Sequence, residues 1–168
     1  MRWFPFLLLA VLAALLQTTV LRVLGGWRPH LLIALLVPVC LGAGREAGFA
    51  AGCILGLLRD LFSVEPFGLS IGLFALAGYG LARLRSGVYA EHPVTHALFG
   101  LLCSAVSSGA SVAVLLLQGG VVPLGSAVAR AAVTAVATAA TAGAVGALLW
   151  RRPRWFGLKR GSELEGVG

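Results

Sequence analysis

Six apolar runs separated by short polar breaks constrain this chain more than any other feature. They cover about residues 3–21, 30–42, 47–62, 67–84, 94–117 and 127–149 of the 168-residue sequence. A helix needs about 20 apolar residues to cross a bilayer, so six such runs use about 120 residues and leave under about 50 for every loop and terminus, with no room for a soluble catalytic domain. Only 11% of residues are charged, against about a quarter in soluble proteins. A water-facing surface cannot be built from that composition. Spanning β-barrels alternate polarity along each strand, whereas these runs are continuous and rich in Leu, Ala and Gly. The sequence therefore predicts an all-α, polytopic membrane bundle of about six transmembrane helices. It forms one domain over residues 1–150, followed by a basic tail over 151–168.

Charge distribution orients the bundle. The chain carries 13 Lys and Arg against 6 Asp and Glu, a net charge of +7. In a soluble protein this would suggest nucleic acid; here the basic residues sit in short loops and the tail, where the positive-inside rule places them. With six crossings and a cytoplasmic amino terminus, one side holds Arg2, Arg45, Arg83, Arg85 and the tail residues Arg151, Arg152, Arg154, Lys159 and Arg160. The other side holds Arg22, Arg28, Arg59 and Arg130. Both termini are therefore expected in the cytoplasm of a multi-pass cell-membrane protein, with the lipid bilayer and not nucleic acid as its surroundings. The first run exceeds the 7–15 residues of a signal-peptide core and lacks a clean cleavage site, so it is expected to stay as an anchor. Run two is short and holds Pro38, so runs two and three are read either as a full crossing pair or as a re-entrant hairpin.

Reactive chemistry has few candidates. Charged residues near the middle of a span are costly and usually mark a site or pathway; Arg59, Asp60 and Arg130 fall at run ends, from which they can snorkel to the surface. His92 and His96 have a metal-ligand spacing but no third ligand nearby, and read as interfacial histidines. Cys40, Cys53 and Cys103 lie inside apolar runs without C-x-x-C spacing and read as small core residues. H-E-x-x-H is absent, and no histidine is an obvious base for Ser104, Ser107, Ser108 or Ser111. No catalytic residue, cofactor or metal is expected.

Small residues in rows are the positive signal. Gly44, Gly48, Gly52 and Gly56 make three overlapping G-x-x-x-G steps on one ridge of run three, and Gly68 and Gly72 begin a similar row on run four. Such ridges let helix backbones approach closely in lipid, to bind a partner protein or to pack inside the same bundle. Ser104, Ser107 or Ser108, and Ser111 on run five, with Thr134, Thr138 and Thr141 on run six, form polar stripes that can bond across helices or to their own carbonyls.

The stretch GFAAGCILGLLRDLFSVEPFGLSIG, Gly48 to Gly72, resembles the signature of the MreD family, the small integral-membrane component of the bacterial rod-shape machinery. The matching positions are Gly52, Gly56, Leu57, Leu58, Asp60, Pro66, Gly68, Leu69 and Ser70. The resemblance implies a non-catalytic scaffold of the inner membrane. It would bind MreC, a single-span protein with a periplasmic domain. Through it the scaffold would connect indirectly to MreB and to the RodA and penicillin-binding transpeptidase synthase, helping to organise peptidoglycan synthesis. The family looks similar in fold to the substrate-binding S components of energy-coupling-factor vitamin transporters, which supplies the rival function. Ala10 and Ala14 form an A-x-x-x-A step like the one S components turn toward their coupling subunit. The eight residues expected to serve partner binding or helix packing are Gly44, Gly48, Gly52, Gly56, Asp60, Pro66, Gly68 and Gly72, with the Asp60 to Gly68 turn setting the angle between helices three and four.

Overall fold

The computed structural model describes residues 3–23, 29–42, 44–63, 66–84, 92–119 and 123–151. They form six helices and, among the described residues, no strand: α1 (Trp3–Val23), α2 (Leu31–Gly42), α3 (Arg45–Phe62), α4 (Leu69–Leu84), α5 (Pro93–Leu117) and α6 (Leu124–Arg151). The basic tail beyond Arg151 and the loop residues Arg28, Arg85 and Glu91 lie outside the described residues. Two helices, α5 and α6, are long and apolar enough to cross a membrane; apolar segments in α1, α2 and α4 are shorter.

Packing follows side-chain size more than polarity. On α5 the buried row is His96, Gly100, Ser104 and Ser107, while Val94, Leu98, Leu102 and Val106 are exposed on the opposite row. A helix at a water-facing surface has the reverse pattern. Here small and polar residues face other helices and the branched apolar ones face outward, as expected where lipid removes the hydrophobic drive between helices and close approach replaces it. On α1 the small residues Ala10 and Ala14 are likewise buried, together with Phe6, while Phe4, Leu8 and Leu12 are exposed.

The centre is α2. Its sequence is apolar on every side, and all residues from Leu32 to Gly42 are buried, Pro38 included. It touches each of the other five helices, with α3 and α4 packed as one tight pair and α5 and α6 as another. At 1.5 Å per residue, its 12 residues span about 18 Å, well short of a hydrocarbon core of about 30 Å.

Two side chains from other helices receive the start of α2. The Thr138 hydroxyl of α6 accepts the His30 N–H at 2.9 Å, and Gln17 Oε1 of α1 accepts the Leu32 N–H at 3.4 Å. Thr138 also donates to the Thr134 carbonyl at 2.7 Å and accepts from Ser104 Oγ at 3.4 Å. One donor and two acceptor sites are all a hydroxyl has, and this one uses them to join α2, α5 and α6. Of the other stripe residues, Ser111 and Thr141 return to carbonyls of their own helices.

The α5–α6 seam depends on glycines. A Cβ at Gly100 would stand 2.7 Å from Ala142 Cβ, and one at Gly146 would collide with the His96 ring. His96 is thus a core residue, contrary to the interfacial position expected, while His92 is exposed. The histidine ring occupies a slot that only a residue without a side chain leaves open. Gly100→Leu is expected to destabilise the protein by about 1–3 kcal/mol through overpacking, whereas Leu98→Ala on the outward row should stay within about 0.5 kcal/mol. Thermal unfolding in detergent compares the two.

Candidate functional site

Helices α3 and α4 meet backbone to backbone. A Cβ at Gly48 would lie 2.8 Å from the Gly78 carbonyl oxygen, and one at Gly56 would lie 2.6 Å from Ile71 Cα. At Gly52 the new atom would collide with the backbone of Phe74 and Ala75. These three glycines therefore pack within the bundle. Gly44 and Gly72 have open space where a Cβ would stand. The row that α4 turns toward α3 includes Ile71, Phe74 and Gly78, so the Gly68 and Gly72 row does not mirror the ridge on α3. Gly78, which the sequence reading missed, is signalled by its small partner four residues on, Ala82. Behind this crossing Cys40 Sγ of α2, a weak donor, reaches the Gly48 carbonyl at 3.7 Å.

Asp60 governs how α4 begins. The first N–H groups of any α-helix lack intrahelical partners and need another acceptor. Gly68, at the position before α4, has no side chain to supply one. The carboxylate of Asp60 comes across from α3 instead: Oδ2 accepts the Gly68 N–H at 2.7 Å and the Ile71 N–H at 3.4 Å, and Oδ1 accepts the Ser70 N–H at 3.2 Å. The Pro66 carbonyl takes the Leu69 N–H at 3.3 Å, and the first regular helical bond runs from Gly72 N–H to the Gly68 carbonyl at 3.0 Å. Every N–H from Gly68 to Gly72 is thereby accounted for. A carboxylate at a helix N-terminus also gains from the helix dipole. Gly68 has φ +100, a backbone region that side-chain-bearing residues avoid, which explains a glycine here. The apolar run begins at Phe67, but Phe67 and Gly68 form a turn and the helix opens at Leu69.

Asp60 is only 4% exposed and does not snorkel, contrary to the reading from its place at the end of a run. Its neighbour Arg59 lies over the Phe74 ring, 5.6 Å from the centroid, a cation–π distance. Pro66 is exposed at the turn. Arg130 does reach the surface, bonded to Ser126 on its own helix. Among the described residues no group of three His, Cys, Asp or Glu side chains is placed to hold a metal.

This hairpin lies inside the one region of known kinship. The family model for the rod shape-determining protein MreD matches residues 1–150. This chain belongs to the MreD family. It is accordingly a cell-shape protein of the cell membrane with transmembrane helices, part of the machinery that determines rod form. Neither a curated protein nor a solved structure matches it, so the likeness to S components is not shown. Ala10 and Ala14, the step that kept a transporter reading open, are buried in the chain's own core at 0% and 1% exposure.

Asp60→Ala would strand three backbone donors, each costing about 1–3 kcal/mol where buried, and is expected to destabilise the protein by about 3 kcal/mol or more. Asp60→Asn keeps one acceptor oxygen and should cost about half as much. Equilibrium unfolding in mixed detergent measures the difference.

Proposed function

We propose that this MreD-family chain is a non-catalytic, multi-pass scaffold of the cell-elongation machinery, with both termini in the cytoplasm. It binds an MreC-like single-span protein within the membrane and so helps to organise peptidoglycan synthesis around the RodA and penicillin-binding transpeptidase synthase, with an indirect link to MreB. The match to the family over residues 1–150 carries this reading. The geometry supports it: the Asp60 carboxylate at the α3–α4 turn is spent on holding backbone together, beside the close-packed glycines. A rigid helix pair of this kind offers a fixed face to a neighbour.

The contact is placed on the α3–α4 unit, on the side that the internal packing leaves open. Gly48, Gly52 and Gly56 are occupied by α4, so Gly44, Pro66, Gly68 and Gly72 are the residues expected to serve partner binding or packing that remain available. Leu76, one turn beyond Gly72, is 70% exposed and extends that side. A partner helix lying along this row would find a groove at Gly72.

Leucine at Gly44 and at Gly72 enters open space and leaves the hairpin intact. In a rod-shaped host that depends on this protein, the Gly44→Leu, Gly72→Leu variant is expected to insert and unfold normally yet lower recovery of the MreC-like partner at least tenfold. Cells relying on it should round up. Unchanged partner recovery would remove the α3–α4 unit from the interface, and rod form surviving depletion of the wild-type protein would overturn the scaffold reading itself.

A further inference from the structure

Two tight helix pairs flank α2, and on one side the pairs part. α3 closes on α4 and α5 closes on α6, while α4 and α5 barely meet. Between them lies a groove of about 400 Å³, lined by Leu73, Ala77 and Leu81 of α4 and by Phe99, Leu102 and Cys103 of α5. Ile33 and Leu36 of the central helix lie beneath it and are buried, whereas Leu84, Leu102 and Val106 at its rim are roughly half exposed. The groove therefore opens sideways, away from α2.

Its lining decides what can fill it. Ser107 supplies the only hydroxyl among the described lining residues and is 3% exposed, whereas a buried water needs two to four polar partners. The smaller cleft where α1, the start of α2 and the end of α3 meet has such partners in Gln17 and His30; the groove has none to spare. Left empty, it would forfeit dispersion contacts along its whole length. With α4 and α5 in the membrane, as the multi-pass reading above holds, the solvent at its rim is hydrocarbon.

Its dimensions decide which form of hydrocarbon. Along α4 the lining runs from Leu73 to Leu84, about 16 Å at 1.5 Å per residue. Half of a hydrocarbon core of about 30 Å is about 15 Å, so the groove is as long as one leaflet is deep. Spread over that length, the volume gives a mean cross-section of about 25 Å², against about 80 Å² for a helix of about 10 Å diameter. A helix does not enter. Side chains protruding from one recur at a pitch of about 5.4 Å and would fill such a slot only in patches, whereas an unbroken methylene chain fills it throughout. Gly80, in the wall of the groove, has open space where a Cβ would stand, which keeps this stretch of the slot clear.

We propose that the α4–α5 groove seats one acyl chain of a membrane phospholipid, lying along α4 between Leu84 and Leu73. The chain takes the place of direct side-chain packing and joins the α3–α4 pair to the α5–α6 pair over the central helix. The inference rests on the multi-pass reading and adds a bound lipid to it.

The full chain should be reconstituted in bilayer discs whose phosphatidylcholine carries a photoactivatable diazirine in one acyl chain. Transfer to mild detergent before illumination strips loosely held lipid, and peptide mass spectrometry then maps the adducts. Labelling of the segments Leu73 to Leu81 and Phe99 to Val106 should exceed that of the exposed α1 residues Leu8 and Leu12 at least fivefold. Gly80→Phe fills the groove from open space and should lower that labelling at least fivefold. Gly109→Phe, at an exposed glycine with equal room outside the groove, should leave it unchanged. The wild-type map decides the matter by itself if Gly80→Phe fails to fold. Equal labelling of α1 and the groove, or groove labelling unchanged in Gly80→Phe, would overturn the proposal. So would a photo-crosslinker at Leu102 that captures another protein in intact membranes, because a partner would then cover the groove. No partner is present in the discs, so absent labelling leaves the scaffold reading standing; failure of the chain to enter the bilayer would remove both.

Discussion

A single carboxylate facing the first N–H groups of α4 holds the most constrained part of this fold. Backbone donors at a helix start need acceptors, and hydrocarbon supplies none. Water meets that need at the surface of a soluble protein. In this chain Gly68 cannot cap the helix, so Asp60 reaches from the end of α3 and accepts three of the donors. The consequence is geometric. A cap within the same turn would fix only where α4 begins, whereas a cap from α3 also fixes the position of α4 relative to α3. Glycines at 48, 52 and 56 then let the two backbones close along the length of the crossing. The carboxylate sets the registry and the missing side chains permit the approach.

The rest of the bundle repeats this logic with weaker groups. Thr138 does for α2, α5 and α6 what Asp60 does for α3 and α4, through one hydroxyl with three hydrogen bonds. Polar contacts between helices in membranes average about 0.6 kcal/mol, so their value lies in fixing orientation more than in adding stability. Glycine again provides the approach, at Gly100 and Gly146. On α5 the large side chains of Val94, Leu98, Leu102 and Val106 are left for the outside.

Much of this arrangement was legible in the sequence because membrane helices leave plain marks. The apolar runs foretold six helices, and the spacing of Gly48, Gly52 and Gly56 foretold a close-packed ridge. The Asp60 to Gly68 turn was expected to set the angle between helices three and four. What could not be read was the identity of the surface opposite each ridge. Gly44 and Gly72 carry the same spacing as the packed glycines yet meet nothing, because a helix row names a face and not its neighbour. The His30 to Thr138 bond spans 108 residues of sequence, beyond the reach of any periodicity. His96 looked interfacial because of its proximity to His92 and Pro93, but the slot that receives it is cut by Gly146, 50 residues away. The cleft lined by Gln17, His30 and Arg59 was hidden for the same reason: they come from three separate runs.

Backbone amide exchange at the start of α4 tests the central claim most directly. The amides of Gly68, Ser70 and Ile71 are expected to exchange slowly in the wild-type protein and to lose that protection in Asp60→Ala, while those of the α5–α6 seam keep theirs. Equal protection of the three amides with and without the carboxylate would show that α4 is held by something other than Asp60, and would contradict the account.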